Sequence, residues 1–303
     1  MKNLFKNLNS FTNPKQNLKH LLTLVAAILL LTGCHKTEGV AKVRIHVDDF
    51  TISQEELPQT RGGIADCNSI KSVTLAFYST ADGSEQYKVT QVKSDATTYG
   101  TTFGDFDLSL PMGSYTMVII GYSTIDGSPF TLTSPTLASY TGEHALETFA
   151  ATQAVNISTT EDVNLSATLN RIVSKLQVIS TDGKTANATN VRMTLSGGSK
   201  SFNPTTGLAT DNNGFINTVG ISAAEGAHST STTYLFLATD EETIDVTIDV
   251  LDASGNSISH KVVNNVPMKR NRLTKLTGSL YTASAGSDFA VNTDWLTEYS
   301  MTF

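Results

Sequence analysis

Little in this sequence offers itself to covalent chemistry. Two cysteines, Cys34 and Cys67, occur in 303 residues, too few for a disulfide framework. The six histidines (His20, His35, His46, His144, His228 and His260) are scattered, with no pair at metal-ligand spacing. Nucleophile elbows, metalloprotease helices and phosphate loops are missing as well. No catalytic residue, cofactor or metal site is therefore expected, and the chain reads as something other than an enzyme. Basic residues are few: 21 Lys and Arg stand against 28 Asp and Glu, a net charge of −7, which leaves no electrostatic footprint for nucleic acid.

Long apolar runs are missing too. The most apolar stretch, Leu21 to Leu31, is about 11 residues where a spanning helix needs about 20. It follows a segment with Lys2, Lys6, Lys15 and Lys19 and no acid, and it breaks at Leu31-Thr32-Gly33-Cys34. A cationic start, a short apolar run and small residues before a break describe an export signal. The break resembles the lipobox of bacterial lipoproteins, which implies a cut before Cys34 and acylation of its thiol. The alternatives are an ordinary secretory peptide or a buried helix. Two or three acyl chains, at about 0.8 kcal/mol per buried methylene, would hold the rest on a membrane. With residues 1–33 removed, 17 basic residues face 28 acidic ones, a balance of −11. Cys67 is then without a partner and reads as a small buried side chain.

What remains alternates. In residues 42–49 Val43, Ile45 and Val47 face one way, and Lys42, Arg44 and His46 the other. Phe106, Leu108 and Leu110 repeat the pattern, as do Ile244, Val246, Ile248 and Val250. Period-2 alternation marks strands with one face on a core and one in water. Residues 72–79, 115–122 and 233–239 are more uniformly apolar and suit central strands. Asp82-Gly83, Asp126-Gly127 and Asp182-Gly183 read as tight hairpin turns. The stretch Asp211-Asn212-Asn213-Gly214 is a turn rather than a calcium loop, since no bidentate Glu follows. Residues 141–154 are the best helical candidate, or a crossover. The whole predicts an all-β chain of sandwich architecture. Residues 1–33 are the signal, 34–165 a first sandwich, and 166–303 a second with a C-terminal strand or tail.

Three segments, residues 108–123, 169–181 and 266–281, are similar in kind and order to segments of one family. They are a strand, Pro-x-Gly turn and strand; the segment opening a second domain; and a basic Arg-Asn-x-x-Thr-x-Leu-x-Gly hairpin. Together with the lipobox they resemble the fimbrillin family of Bacteroides-group bacteria, in its minor-subunit branch. The resemblance implies two tandem transthyretin-like β-sandwiches and a cell-surface fimbria, exported as a lipoprotein to the outer membrane. It implies other fimbrial subunits as partners, outer-membrane attachment through Cys34, and host or bacterial surface ligands. In the family's stalk subunits an arginine-specific protease removes the first strand, and a neighbour's strand fills the groove.

Two places in this chain bear on that chemistry. Arg61-Gly62 lies in a Pro- and Gly-bearing stretch after the alternating strand, either a protease site or a solvated arginine in a turn. In residues 289–303, Phe289, Val291, Trp295, Tyr299, Met301 and Phe303 share one face of an extended strand. Each could contribute about 1.5–3 kcal/mol if buried, so this segment needs a groove. It is either the last strand of its own second sandwich or a donor strand to a neighbour. A different class of reading is a surface lipoprotein that binds glycan or host protein through sandwich-end loops. A loop over residues 121–132 could present Tyr122 and Phe130 for it, though core packing is the stronger reading of these two, and the chain's one tryptophan belongs to the C-terminal pattern.

Overall fold

The computed structural model describes residues 39–46, 50–51, 69–94, 102–124, 129–282 and 290–292. The alternating segments are strands. Residues Val40–His46 form β1, with Ala41, Val43 and Ile45 fully buried and Lys42 and Arg44 exposed. After β2 (Phe50–Thr51) come β3 (Ser72–Ser79), β4 (Glu85–Val92), β5 (Asp105–Pro111) and β6 (Gly113–Tyr122). Next are β7 (Phe130–Ser134), β8 (Leu137–Tyr140), β9 (Thr148–Ile157), β10 (Val163–Ser166) and β11 (Leu169–Arg171). The chain continues through β12 (Ser174–Ser180), β13 (Asn190–Leu195), β14 (Ser201–Asn203), β15 (Leu208–Ala209) and β16 (Phe215–Gly220). It ends in β17 (Thr230–Leu235), β18 (Glu241–Leu251), β19 (Ser257–Lys269), β20 (Leu273–Gly278) and β21 (Ala290–Asn292). No α-helix occurs among the described residues, and none of their segments is a helix long and apolar enough to cross a membrane.

Among the described residues five sheets enclose three apolar cores. The sheet β10-β1-β5 faces the sheet β2-β11-β9-β6-β3-β4, and between them lie Val43, Ile45, Leu108, Leu110, Leu75, Phe77, Met117 and Ile119. The sheets β17-β12-β20-β21 and β16-β13-β18-β19 enclose Leu176, Val178, Met193, Val246, Ile248, Val263 and Leu276 in the same manner. The fifth sheet, β15-β14-β8-β7, lies over the other face of β3 and β6, burying Tyr78, Val118, Ile120, Tyr122, Phe202 and Phe236. This explains why β3 has no polar face: seven of its eight residues are buried, as expected of a strand covered on both sides.

The fifth sheet joins early and late parts of the chain. β8 pairs antiparallel with β14 at Ser139↔Ser201 and Ala138↔Phe202. Rings carry the contact onward: Tyr122 to Phe130 at 4.2 Å between centroids, Phe130 to Phe202 at 6.2 Å, and Phe202 to Phe236 at 4.3 Å. Lys200 Nζ donates to the Gly142 carbonyl at 2.5 Å, and Ala145 bridges to Tyr234.

Three expectations are corrected. The segment 141–154 is not helical; its second half is β9, paired along ten residues with β6 from Gly113↔Ile157 to Tyr122↔Thr148. Alanine's helix propensity is a weak preference that a ladder of this length overrides, and Ala150 fits where the third core is crowded. The strand expected over 233–239 stops at Leu235, because Phe236 turns away to pair with Ser199 and enter the aromatic stack. Asp82-Gly83 closes the β3–β4 hairpin with Gly83 at φ 73°, but Asp182-Gly183 closes no hairpin. It lies on the crossing from β12 to β13, which belong to different sheets. Gly183 serves there by its size: a Cβ would stand 2.6 Å from the Gly226 carbonyl oxygen. The Asp126-Gly127 pair lies outside the described residues.

Candidate strand-acceptor groove

The strand β1 is held from both sides. It runs antiparallel to β5, from Val40↔Pro111 to His46↔Asp105, and parallel to β10, from Val43↔Val163 to His46↔Ser166. In the order β10-β1-β5 it is the middle strand, and among the described residues β5 and β10 have no other partner in that sheet. Strands lie about 4.8 Å apart, so without β1 the two walls would face each other across about 9.6 Å, the width that one strand fills. Val43 and Ile45, at 0% and 1% exposure, close the floor against the first core. Each contributes about 1.5–3 kcal/mol by leaving water.

On the solvent side Arg44 reads the register. Its Nε lies 3.3 Å from Asp107 Oδ1, directly opposite on β5, and its Nη1 donates to Asp162 Oδ2 at 3.0 Å, just before β10. Half-exposed pairs of this kind add little stability, but an opposed charge pair fixes which residue faces which.

The two walls are anchored unequally. Gln91, buried in β4, donates from Nε2 to the Asp105 carbonyl at 2.7 Å, while its Oε1 accepts from Gly104 N at 2.8 Å. These two bonds pin the start of β5 to the opposite sheet. At the other end the Tyr115 hydroxyl donates to the Pro111 carbonyl at 2.8 Å. β10 is only four residues long, and its Val163 and Leu165 are partly buried against the first core. One wall is thus stapled at both ends, and the other is held mainly by β1.

Among the sequence-derived candidates, Val291 is in β21, where its backbone stands opposite Leu276 of β20. The lipid-site candidate Cys34, the cleavage candidates Arg61 and Gly62, and Phe289, Trp295, Tyr299, Met301 and Phe303 lie outside the described residues. Tyr122 is buried at 7% exposure and lies tilted against the partly buried Phe130, so these rings pack into the third core rather than form a loop surface. No group of three metal-binding side chains occurs among the described residues.

Sequence reasoning missed Asp182. Its carboxylate accepts from Leu280 N, Tyr281 N, Thr282 N, Ser279 Oγ and Thr282 Oγ1, all at 2.7–2.9 Å. It thereby fixes the backbone that leaves β20 toward β21. Burial alone would push its pKa up, but the hydrogen bonds from Leu280, Thr282 and Ser279 outweigh that, and the net direction is down. The Asp-Gly pair was the only signal, and it pointed to a hairpin.

The chain matches a family described as "Family of unknown function (DUF6562)" over residues 49–302. No curated protein matches it. Among solved structures it is similar to the fimbrial anchor protein Mfa2 from Porphyromonas gingivalis, with 10% identity and a TM-score of 0.48 over 78% of this chain and 90% of that one. It is also similar to the C-terminally truncated tip fimbrial protein Mfa3 of the same organism, with 9% identity and a TM-score of 0.42 over 84% and 98%.

Proposed function

The chain belongs to this family of unknown function, and from that premise we propose that it is a structural and adhesive subunit of a cell-surface fimbria. It is exported as a lipoprotein, held at the outer membrane through Cys34, and joined to its neighbours by β-strand addition. Its body is two tandem transthyretin-like sandwiches, the first running through β11 and the second opening with β12. The observation that carries the reading is the position of β1. This strand precedes the family-matched region, yet it fills a slot inside that region's first sandwich, bonded to a strand on each side.

Such a slot suits exchange. Main-chain bonds on both edges supply affinity that does not depend on the entering sequence, and the pockets of Val43 and Ile45 supply register. A cut between Arg61 and Gly62 separates β1 and β2 covalently from everything after them. The segment 289–303, with large apolar groups on alternate positions, is a strand of the kind that could enter the slot of the next subunit. Head-to-tail donation makes open filaments rather than closed dimers.

N-terminal sequencing of the protein taken from the native cell surface tests the proposal. A start at Gly62 marks a cut, strand-accepting subunit, and a blocked, acylated Cys34 marks a retained anchor. An unmodified start upstream of Cys34 in a soluble cytoplasmic protein would contradict both.

A further inference from the structure

A second concavity lies away from β1. It is a cleft of about 1090 Å³, with one wall made by β9 and the β10–β11 region and the other by the β14–β15 turn, the start of β18 and the β19–β20 turn. The chain is acidic overall at −7, yet four cations line this cleft (Arg171, Lys269, Arg270 and Arg272) against two carboxylates, Asp240 and Glu241.

Three of the cations are compensated. Arg171 pairs with Glu147 at 2.8 Å and lies over the Phe149 ring at 4.8 Å. Arg270 pairs with Asp240 at 2.6 Å and donates to the Thr206 carbonyl at 2.9 Å. Lys269 pairs with Glu241. Arg272 differs: its guanidinium donates to its neighbour's carbonyl, Asn271 O, at 3.2 Å and has no ion pair among the described residues. Its backbone is held firmly. Asn271, 8% exposed, sits at φ 57°, donates its N–H to Val173 O at 2.9 Å and accepts from Arg171 Nη1 at 3.0 Å. Asparagine adopts the left-handed region readily in turns, and pinned from both sides it fixes the backbone from which Arg272 projects. Ala150 and Ala151 of β9 also line the cleft. Gly207, at φ 69°, leaves room where a Cβ would stand 2.9 Å from Arg270 Nη1.

We propose that this cleft binds an oligosaccharide bearing a carboxylate, such as a uronic or sialic acid, with Arg272 gripping the carboxylate. One uncompensated guanidinium matches one carboxylate charge, and the planar fork suits it bidentately. Sugar hydroxyls are donors and acceptors at once, and the lining interleaves carboxylates, guanidinium groups, amides and threonines. An acidic peptide fits less well. The lining strands β9 and β11 each have a partner on both sides, so they present no free edge for strand addition, and the lining offers no large apolar pocket. The proposal gives the adhesive half of the preceding reading a ligand. It is tested on uncut protein, so strand exchange has no part in the outcome.

The test is calorimetric titration of residues 35–303, which contain the whole compact unit Val40–Phe303. The probes are tetragalacturonic acid and its methyl ester, sialyllactose and lactose, and a short polyglutamate peptide. At least one acidic sugar should bind, and its neutral counterpart should bind at least about tenfold more weakly. Arg272→Ala should cost the acid about tenfold or more with the melting temperature unchanged, and Arg272→Lys should retain part of the binding. Four results would overturn the proposal: no binding of either acid at about 10 mM, equal binding of acid and neutral forms, full binding by a folded Arg272→Ala variant, or polyglutamate binding as tightly as the sugars. The acid-to-neutral comparison uses the unaltered protein and stands even if a variant fails to fold.

Discussion

Asp182 illustrates what single residues do in this fold. Its five donors come from residues 97 to 100 positions further along the chain, so no local pattern could have announced them. Replacing it with asparagine removes the charge and turns one acceptor into a donor aimed at other donors. Asp182→Asn should therefore cost about 2 kcal/mol in chemical denaturation, in line with hydrogen bonds to a charged group. The pH dependence has a definite sign. A carboxyl whose folded pKa is depressed stabilises the fold at every pH above its unfolded value of about 3.9, and that contribution is lost as pH falls through the lower folded value. Melting temperatures measured from pH 6 down to pH 3 should show a drop below about pH 4 that is smaller in Asp182→Asn.

Among elements, the strands were the most legible part of the chain. Alternation such as that of Val43 and Ile45, or of Ile244 through Val250, is a local signal that a half-buried strand must carry. The pairing was illegible, because it is set by residues far apart: nothing within residues 40–46 shows that β10 and β5 flank them. The same holds for the aromatic residues of β7, β8 and β14, which sequence could as easily assign to loops, since their covering sheet pairs two segments that β9 to β13 separate along the chain. Unequal anchoring of the groove walls leads to a kinetic expectation. In hydrogen exchange after cleavage at Arg61 and removal of the released fragment, residues 163–166 should lose protection. The start of β5 should keep more, because Gln91 still accepts from Gly104 N and donates to the Asp105 carbonyl. Equal loss along both walls would contradict the stapling by Gln91 and Tyr115.

At the scale of the molecule, the third core decides whether the chain responds as one body. Phe202, at 0% exposure, stacks on Phe236 at 4.3 Å and on Phe130 at 6.2 Å. Phe202→Ala should cost about 3–5 kcal/mol, and it should split a single thermal transition into two as the sheet β15-β14-β8-β7 loosens. A single transition, merely shifted, would mean that the first and second cores are coupled by other contacts. The groove sits over the first core and β21 is paired to β20 over the second, so under the proposed function a body that holds together would transmit load between subunit junctions.

The most direct measurement of the central claim follows strand exchange itself. Residues 35–303 are cut with an arginine-specific protease and mixed with a fluorescent peptide of residues 289–303, with Arg61→Gln protein as the control. The account predicts that the cut protein sheds the fragment carrying β1 and takes up the peptide saturably in its place, while the uncut control does neither. Uptake that is the same with and without the cut, or a cut protein that releases its fragment and leaves the peptide free, would contradict it.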